Sequence, residues 1–425
     1  MRHQRLTALI LGVLAAALIA PATAGAVNAV SFSPVGNLTI PRDGPGAAPL
    51  PDGKILIAGG CSAGGSASCL NTAEIFDPAT NTFSAAGLGT MSDNRWEPAA
   101  ATLPDGRVLV AGGWNGDDLT SADVFDPSTK TFSRVGSMAV PREAAAAAPL
   151  PDGRVLVAGG YAQTDYTNTS EIFDPKTNTF TPGPTLPSLQ YGAPGAAISG
   201  GRVLIAGGYH DPDELASAFA FNSSSSTFSP VGSLGQRRYA PAGASLGDGG
   251  ALIAGGEDET VSPRFLSSAE VFDPRTNTFS SAGVGNLTHR REEAGAATLP
   301  DGRVLVAGGW DGGAVDTAEI LNVPSNAFKA KLKGKRVVFS TTNEGTGQVS
   351  DVSVKAAISA KKKKKPKLVK TTSKQGGPGK IVVKVKLTKA GNAQLRAKGR
   401  IQIRVTYTPD RGAPATKKLK LRARK

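Results

Sequence analysis

The chain has 425 residues, with 52 Gly, 29 Pro, few aromatics and a formal net charge of +14. That length allows two or three domains, and the composition suits an all-β protein built from many turns. Beyond the first twenty or so residues no stretch is apolar enough to cross a bilayer, and two cysteines without nearby histidines are too few to hold a metal.

The chain opens with Arg2 and Arg5, an apolar run from Leu6 to Ala20, and the small residues Ala22-Thr23-Ala24-Gly25-Ala26. This is the pattern of a secretory signal peptide. Residues 1–26 are expected to be removed, leaving an exported, soluble protein. In an oxidising compartment Cys61 and Cys69, close together in CSAGGSASC, are expected to form a disulfide.

A phrase ending in Gly-Gly then recurs six times, as in PDGKILIAGG and LPDGRVLVAGG. The pairs end at Gly60, Gly113, Gly160, Gly208, Gly256 and Gly309, and a fixed period of this size marks a repeat architecture. Each unit divides into four short strands. A Pro-Asp-Gly turn joins the first two, and a DPxTNTF turn joins the last two. Four antiparallel strands per repeat make one propeller blade. Seven phenylalanines, from Phe32 to Phe328, open a fourth strand, against six Gly-Gly pairs. The strand near Phe32 is therefore expected to close the ring, with Phe328 leading outward.

These units resemble the kelch repeat over most of the chain. The likeness rests on the Gly-Gly, on aromatic pairs such as Phe76/Phe83 and Phe125/Phe132, and on a Leu or Met four residues before a fixed Arg. It implies a six-bladed kelch β-propeller over residues 27–328.

In such a blade the start of strand one and the residues after Gly-Gly share one face, here called upper. Strand one begins near Arg42, Arg95, Arg142, Arg238 and Arg291, with Gln190 in the fourth copy. Because strand one lines the axis, these side chains are expected to ring the channel mouth. There they either play a structural role, bonding nearby backbone or acids, or contact a ligand directly. The residues after the fixed Arg or after Gly-Gly include Trp96, Trp114, Tyr161, Tyr191, Tyr209, Tyr239 and Trp310. Trp and Tyr combine an apolar face with a polar tip, which suits stacking sugars or anchoring peptides. The upper face is thus expected to bind an extracellular glycan or protein; capping of the blade ends is the other reading.

Copper radical oxidases of the galactose oxidase type are also secreted kelch propellers followed by a β-sandwich. Their copper takes two His and two Tyr, with a Cys bonded to one Tyr. Here only His210 and His289 remain after the leader, and Tyr209-His210 follows Gly-Gly instead of opening strand one. No catalytic residue, metal or cofactor is assigned. A non-catalytic binding protein is the first reading. An extracellular carbohydrate-active enzyme, a hydrolase or a copper oxidase with its site at the channel mouth, is the alternative; pairs such as Glu292-Glu293 could serve hydrolysis.

From Lys329 to the end lie 29 of the 48 Lys and Arg but only three acids, so this segment carries +26 and the rest −12. Alternating runs such as Lys380 to Leu387 predict a small Ig-like β-sandwich over residues 329–425. It is similar to lysine-rich modules that end many secreted proteins of high-GC bacteria. Lys361, Lys362, Lys363, Lys364 and Lys365 fit a solvated hairpin tip. The segment is expected to contact an anionic cell-wall or surface polymer. Export argues against nucleic acid as a partner, and the chain is expected to act as a monomer.

Overall fold

The computed structural model describes residues 30–322 in full and, after them, the backbone of six further strands. Residues 30–322 form a six-bladed β-propeller. In blade one Gly46–Pro49, Ile55–Ala58, Ala73–Asp77 and Thr82–Ser84 pair antiparallel in that order. Blades two to five repeat this order.

Blade six is composite. Gly295–Thr298, Val304–Ala307 and Ala318–Asn322 supply three strands, and Ser31–Pro34 supplies the outermost, with Phe32 opposite Leu321. The strand near Phe32 therefore closes the ring. Phe328 opens a separate strand, Phe328–Lys333, which pairs with Arg336–Thr341.

Strand two explains why VLVA recurs. Its four residues are buried in every blade, because each blade packs on two neighbours. Ile55 and Ile57 pack against Leu305 and Ala307 of blade six, while Leu56 and Ala58 pack against Val108 and Val110 of blade two. A strand buried on both faces needs an unbroken apolar run. Strand one touches its counterparts in the adjacent blades and is built of small residues such as Ala99, Ala101 and Gly195, since least room exists near the axis. Outer strands are braced by phenylalanine pairs: Phe76 and Phe83, directly opposite, have ring centroids 4.9 Å apart.

After the propeller, Phe328–Lys333, Arg336–Thr341 and Lys380–Lys384 form one three-stranded antiparallel sheet, and Val349–Ala356, Arg400–Pro409 and Ala415–Arg422 form another. Residues 1–26 and Lys361 to Lys365 lie outside the described residues. Among the described residues no helix is long and apolar enough to cross a membrane.

Candidate binding site on the upper face

The fixed arginines are braces inside the blades. All five are 0–1% exposed. Arg142 donates from Nη1 to the carbonyls of Gly159 and Thr169, both at 2.9 Å, and from Nη2 to Thr169 Oγ1 at 2.8 Å and Glu171 Oε1 at 3.4 Å. Arg42, Arg95, Arg238 and Arg291 repeat the scheme with Glu74, Asp123, Glu270 and Glu319. The expectation that these side chains ring the channel mouth is corrected. Each guanidinium points into its own blade, toward the first Gly of Gly-Gly, and has no surface left for a ligand. Gln190 is equally buried and donates to Gly207 O at 3.2 Å.

The partner acids are the second residue of strand three, which sequence reasoning missed. A signal existed: blade four, with Gln190 for Arg, also has Phe219 for the acid. The two members of the pair are lost together.

The aromatic expectation places differently. The residue after each fixed Arg or Gln bridges the residue after Gly-Gly, giving six cross-strand pairs. They are Asp43/Cys61, Trp96/Trp114, Glu143/Tyr161, Tyr191/Tyr209, Tyr239/Glu257 and Glu292/Trp310. All seven aromatics are half-buried, neither sealed between blades nor free in solvent. Trp96 and Trp114 meet edge to face at 5.9 Å. Tyr191 stacks on Tyr239 at 5.4 Å, and Tyr161, Tyr166 and Tyr209 gather around them. Short hairpins at Tyr161–Ala162/Asp165–Tyr166 and Tyr209–His210/Asp213–Glu214 hold this cluster. In blade one the Cys61–Cys69 disulfide pins the corresponding loop.

Two residues after each fixed Arg or Gln the backbone is left-handed in every blade: Gly44, Glu97, Ala144, Gly192, Ala240 and Glu293. Their amides form a chain around the axis. Gly44 N donates to Glu293 O, Glu97 N to Gly44 O, Ala144 N to Glu97 O, and Gly192 N to Ala144 O, all at 2.9–3.1 Å, while Glu293 N donates to Ala240 O at 2.8 Å. Left-handed backbone favours glycine, yet Glu97 and Glu293 occupy it and so bring carboxyls to the axis. The two glycines make the room. A Cβ at Gly44 would lie 2.7 Å from Glu97 Cγ and Trp96 Cδ1, and one at Gly192 would lie 2.7 Å from Tyr239 Cε2.

The result is an acidic cluster. Asp43, Glu97 and Glu292 are 5–9% exposed. Tyr191 Oη donates to Glu143 Oε1 at 2.6 Å and lies 3.3 Å from Glu97 Oε2; Tyr239 Oη reaches Glu293 Oε1 at 3.4 Å. Carboxyl otherwise faces carboxyl: Asp43 with Glu293, Glu292 with Glu257, Glu143 with Glu97. With both members ionised such a pair lacks a donor, and Asp43 Oδ1, Glu292 Oε2 and Glu293 Oε2 are indeed buried without one. Burial first, then neighbouring carboxylates, pushes Glu292 up to about 9 and raises Glu97 and Glu293 well above the ordinary carboxyl range. Burial also raises Glu143 to about 7, against the hydrogen bond from Tyr191.

Beside this cluster is a cavity of about 290 Å³. Trp96, Trp114 and Trp310 form its walls, Asp43, Glu292 and Glu293 its polar side, and the disulfide loop at Ala63–Gly65 its rim. A larger hollow of about 510 Å³ lies on the opposite face, lined by Asp105, Asp152 and Arg154. Two of its carboxylates are already paired, Asp105 with Arg107 and Asp152 with Arg154, both at 2.7 Å. The upper cavity is the better candidate because its polar groups still lack donors.

The Kelch motif matches residues 46–87, 95–139, 144–187 and 238–283. Four of the six blades carry the Kelch motif. The two unmatched blades are the fourth, which lacks the Arg–acid brace, and the sixth, whose outer strand comes from the N-terminal end. No curated protein matches the sequence. Among solved structures the chain is similar to a fungal alcohol oxidase of the AA5 family in complex with copper, at 13% identity and a TM-score of 0.54, over 93% of this chain and 100% of that one. It is also similar to YjhT, at 13% identity and a TM-score of 0.55, over 72% of this chain and 97% of that one. At such identity the likeness shows the fold alone.

The described residues do not fit the copper site of galactose oxidase-type enzymes. His210 and His289 are exposed on blades four and six with a blade between them, and Cys61 and Cys69 are bonded to each other. No step through copper is derived.

Proposed function

We propose that this is an exported, non-catalytic binding protein whose upper face takes a glycan or protein ligand. One observation carries the reading: half-buried tryptophans surround a cavity whose buried carboxyl oxygens lack donors. Concave, aromatic-lined pockets with a few convergent polar groups are the usual form of a binding site. The Kelch propeller supports a binding or scaffold role in general, and the tryptophan walls favour a glycan. In a glycan-array screen of the full chain, the triple variant Trp96→Ala, Trp114→Ala, Trp310→Ala should weaken binding at least about thirtyfold, as for loss of a buried aromatic anchor. Changing Asp105, Asp152 and Asp301 on the opposite face should leave it unchanged. Binding that survives the first set would overturn the reading.

A second reading, an enzyme acting on a carbohydrate, is favoured by Glu143. It titrates near 7 and accepts from Tyr191, the range suited to proton transfer. Turnover of a bound glycan, lost in Glu143→Gln, would replace the first reading with this one.

We also propose that the basic segment 329–425 holds the protein at an anionic surface polymer. Its +26 opposes −12 on the rest of the chain. Attraction of this kind is screened over about 8 Å at physiological salt. Retention of the full chain on cell walls should fall steeply with added salt and weaken when Lys361 to Lys365 become Gln. Retention indifferent to salt would refute it.

A further inference from the structure

The cavity beside the axis is chemically lopsided. Three carboxyl-bearing residues and three tryptophans line it, and no Lys or Arg does. Asp43 and Glu292 are 7% and 5% exposed, and each keeps an oxygen with no donor. Trp96 Nε1, on the same wall, faces the Asp43 carboxyl. A ligand that satisfied these oxygens and packed on the tryptophans would bring several N–H or O–H donors, a flat apolar face and a positive charge.

A metal ion does not meet this description. Among the described residues no three His, Cys, Asp or Glu side chains are disposed to hold one. A quaternary ammonium would suit the tryptophans but offers the carboxyls no donor. A neutral sugar would suit the tryptophans but brings no cation to take the place of the protons that the facing carboxyls hold. We propose that this cavity binds an amino sugar bearing a free amine, with its ring stacked on the tryptophan walls and its ammonium donating to Asp43, Glu292 and Glu293. The ammonium replaces the proton that a facing carboxyl pair otherwise needs, and charge-assisted hydrogen bonds of this kind are about twice as strong as neutral ones. The inference rests on the glycan reading above and narrows it to a cationic glycan.

The test is calorimetric titration of the full chain near pH 6, where the amine is protonated. Three probes are compared: a glucosamine tetramer, the N-acetylated tetramer of equal length, and lysine amide. The glucosamine tetramer should bind at least about tenfold more tightly than the acetylated one, and lysine amide should bind weakly or not at all. Glu292→Gln should erase most of that tenfold preference. Asp43→Asn provides a second variant, and thermal unfolding of both checks that they remain folded. Equal binding of the two tetramers would overturn the amino-sugar assignment while leaving the glycan reading intact. Tight binding of lysine amide alone would point to a protein ligand and overturn both. No binding by any probe, or a preference unchanged in both variants, would also overturn the assignment.

Discussion

Arg142→Ala should cost the propeller about 3–5 kcal/mol in urea unfolding, the range for breaking a buried ion pair by removing one partner. The substitution strands Glu171, which is 3% exposed, as a buried charge without its cation. It also leaves the Gly159 and Thr169 carbonyls without the donors that Arg142 Nη1 supplied. Most of the loss comes from that stranded charge rather than from the absent contact. Blade four shows how the charge can be avoided, with Gln190 facing a strand that carries Phe219. The double variant Arg142→Gln, Glu171→Phe should therefore recover part of the loss. Recovery should be incomplete, because Glu171 also accepts from the amides of Ala139 and Val140. Gln190→Ala should cost less than Arg142→Ala, since it strands no charge. Equal costs at the two sites, or a double variant worse than Arg142→Ala, would refute the brace as described.

The architecture was legible because its determinants are local and repeated. Each VLVA run, each turn and each phenylalanine pair is set within a few residues, and six copies average out exceptions. Counting seven phenylalanines against six Gly-Gly pairs was enough to place Phe32 as the closing strand. The six upper-face pairs were half legible: alternation of strand direction put both members on one face, though not in one bridge. The Cys61–Cys69 disulfide was legible from the close spacing of the only two cysteines.

What stayed hidden depends on contacts between distant parts of the chain. Arg142 and Glu171 are 29 residues apart, and only their joint replacement in blade four ties them together. Glu97 and Glu293 belong to blades two and six, and their convergence depends on left-handed backbone that glycine normally marks. Because the sequence puts Glu there, nothing local announces the turn. Asp43 and Glu293 lie at opposite ends of the propeller sequence and meet only because the ring closes through Phe32. The arginine expectation failed for a related reason. Lining the axis with backbone does not aim the side chain at the axis, and these side chains turn back into their own blades.

Thermal stability of the propeller should fall as pH rises from about 5 to 9. The cause is the carboxyl cluster at the axis. Glu143 titrates near 7 and Glu292 near 9 in the fold, against an ordinary 4.5 in the unfolded chain. Below the unfolded value both states are protonated and the cluster carries no penalty. Above it the unfolded chain ionises freely while the folded protein still holds its protons, so folding binds protons and stability declines with rising pH. The decline from Glu143 ends as pH passes its folded value near 7, and that from Glu292 continues to about 9. Glu143 alone contributes on the order of 3 kcal/mol to the fall. Surface carboxylates act in the other direction. Asp152, paired with Arg154, and Asp273, paired with Arg275, titrate below the ordinary value, so their contribution is lost as pH falls through the acid range. Together the two sets put maximum stability near the ordinary carboxyl pKa, more acidic than is usual for a globular domain. Glu292→Gln keeps the shape of the side chain and cannot ionise, so it should flatten the alkaline limb and raise the midpoint at pH 8 to 9 without changing it at pH 4. A midpoint that is constant or rising between pH 5 and 9, or an unchanged slope in Glu292→Gln, would show that these carboxyls are ionised and solvated in the fold.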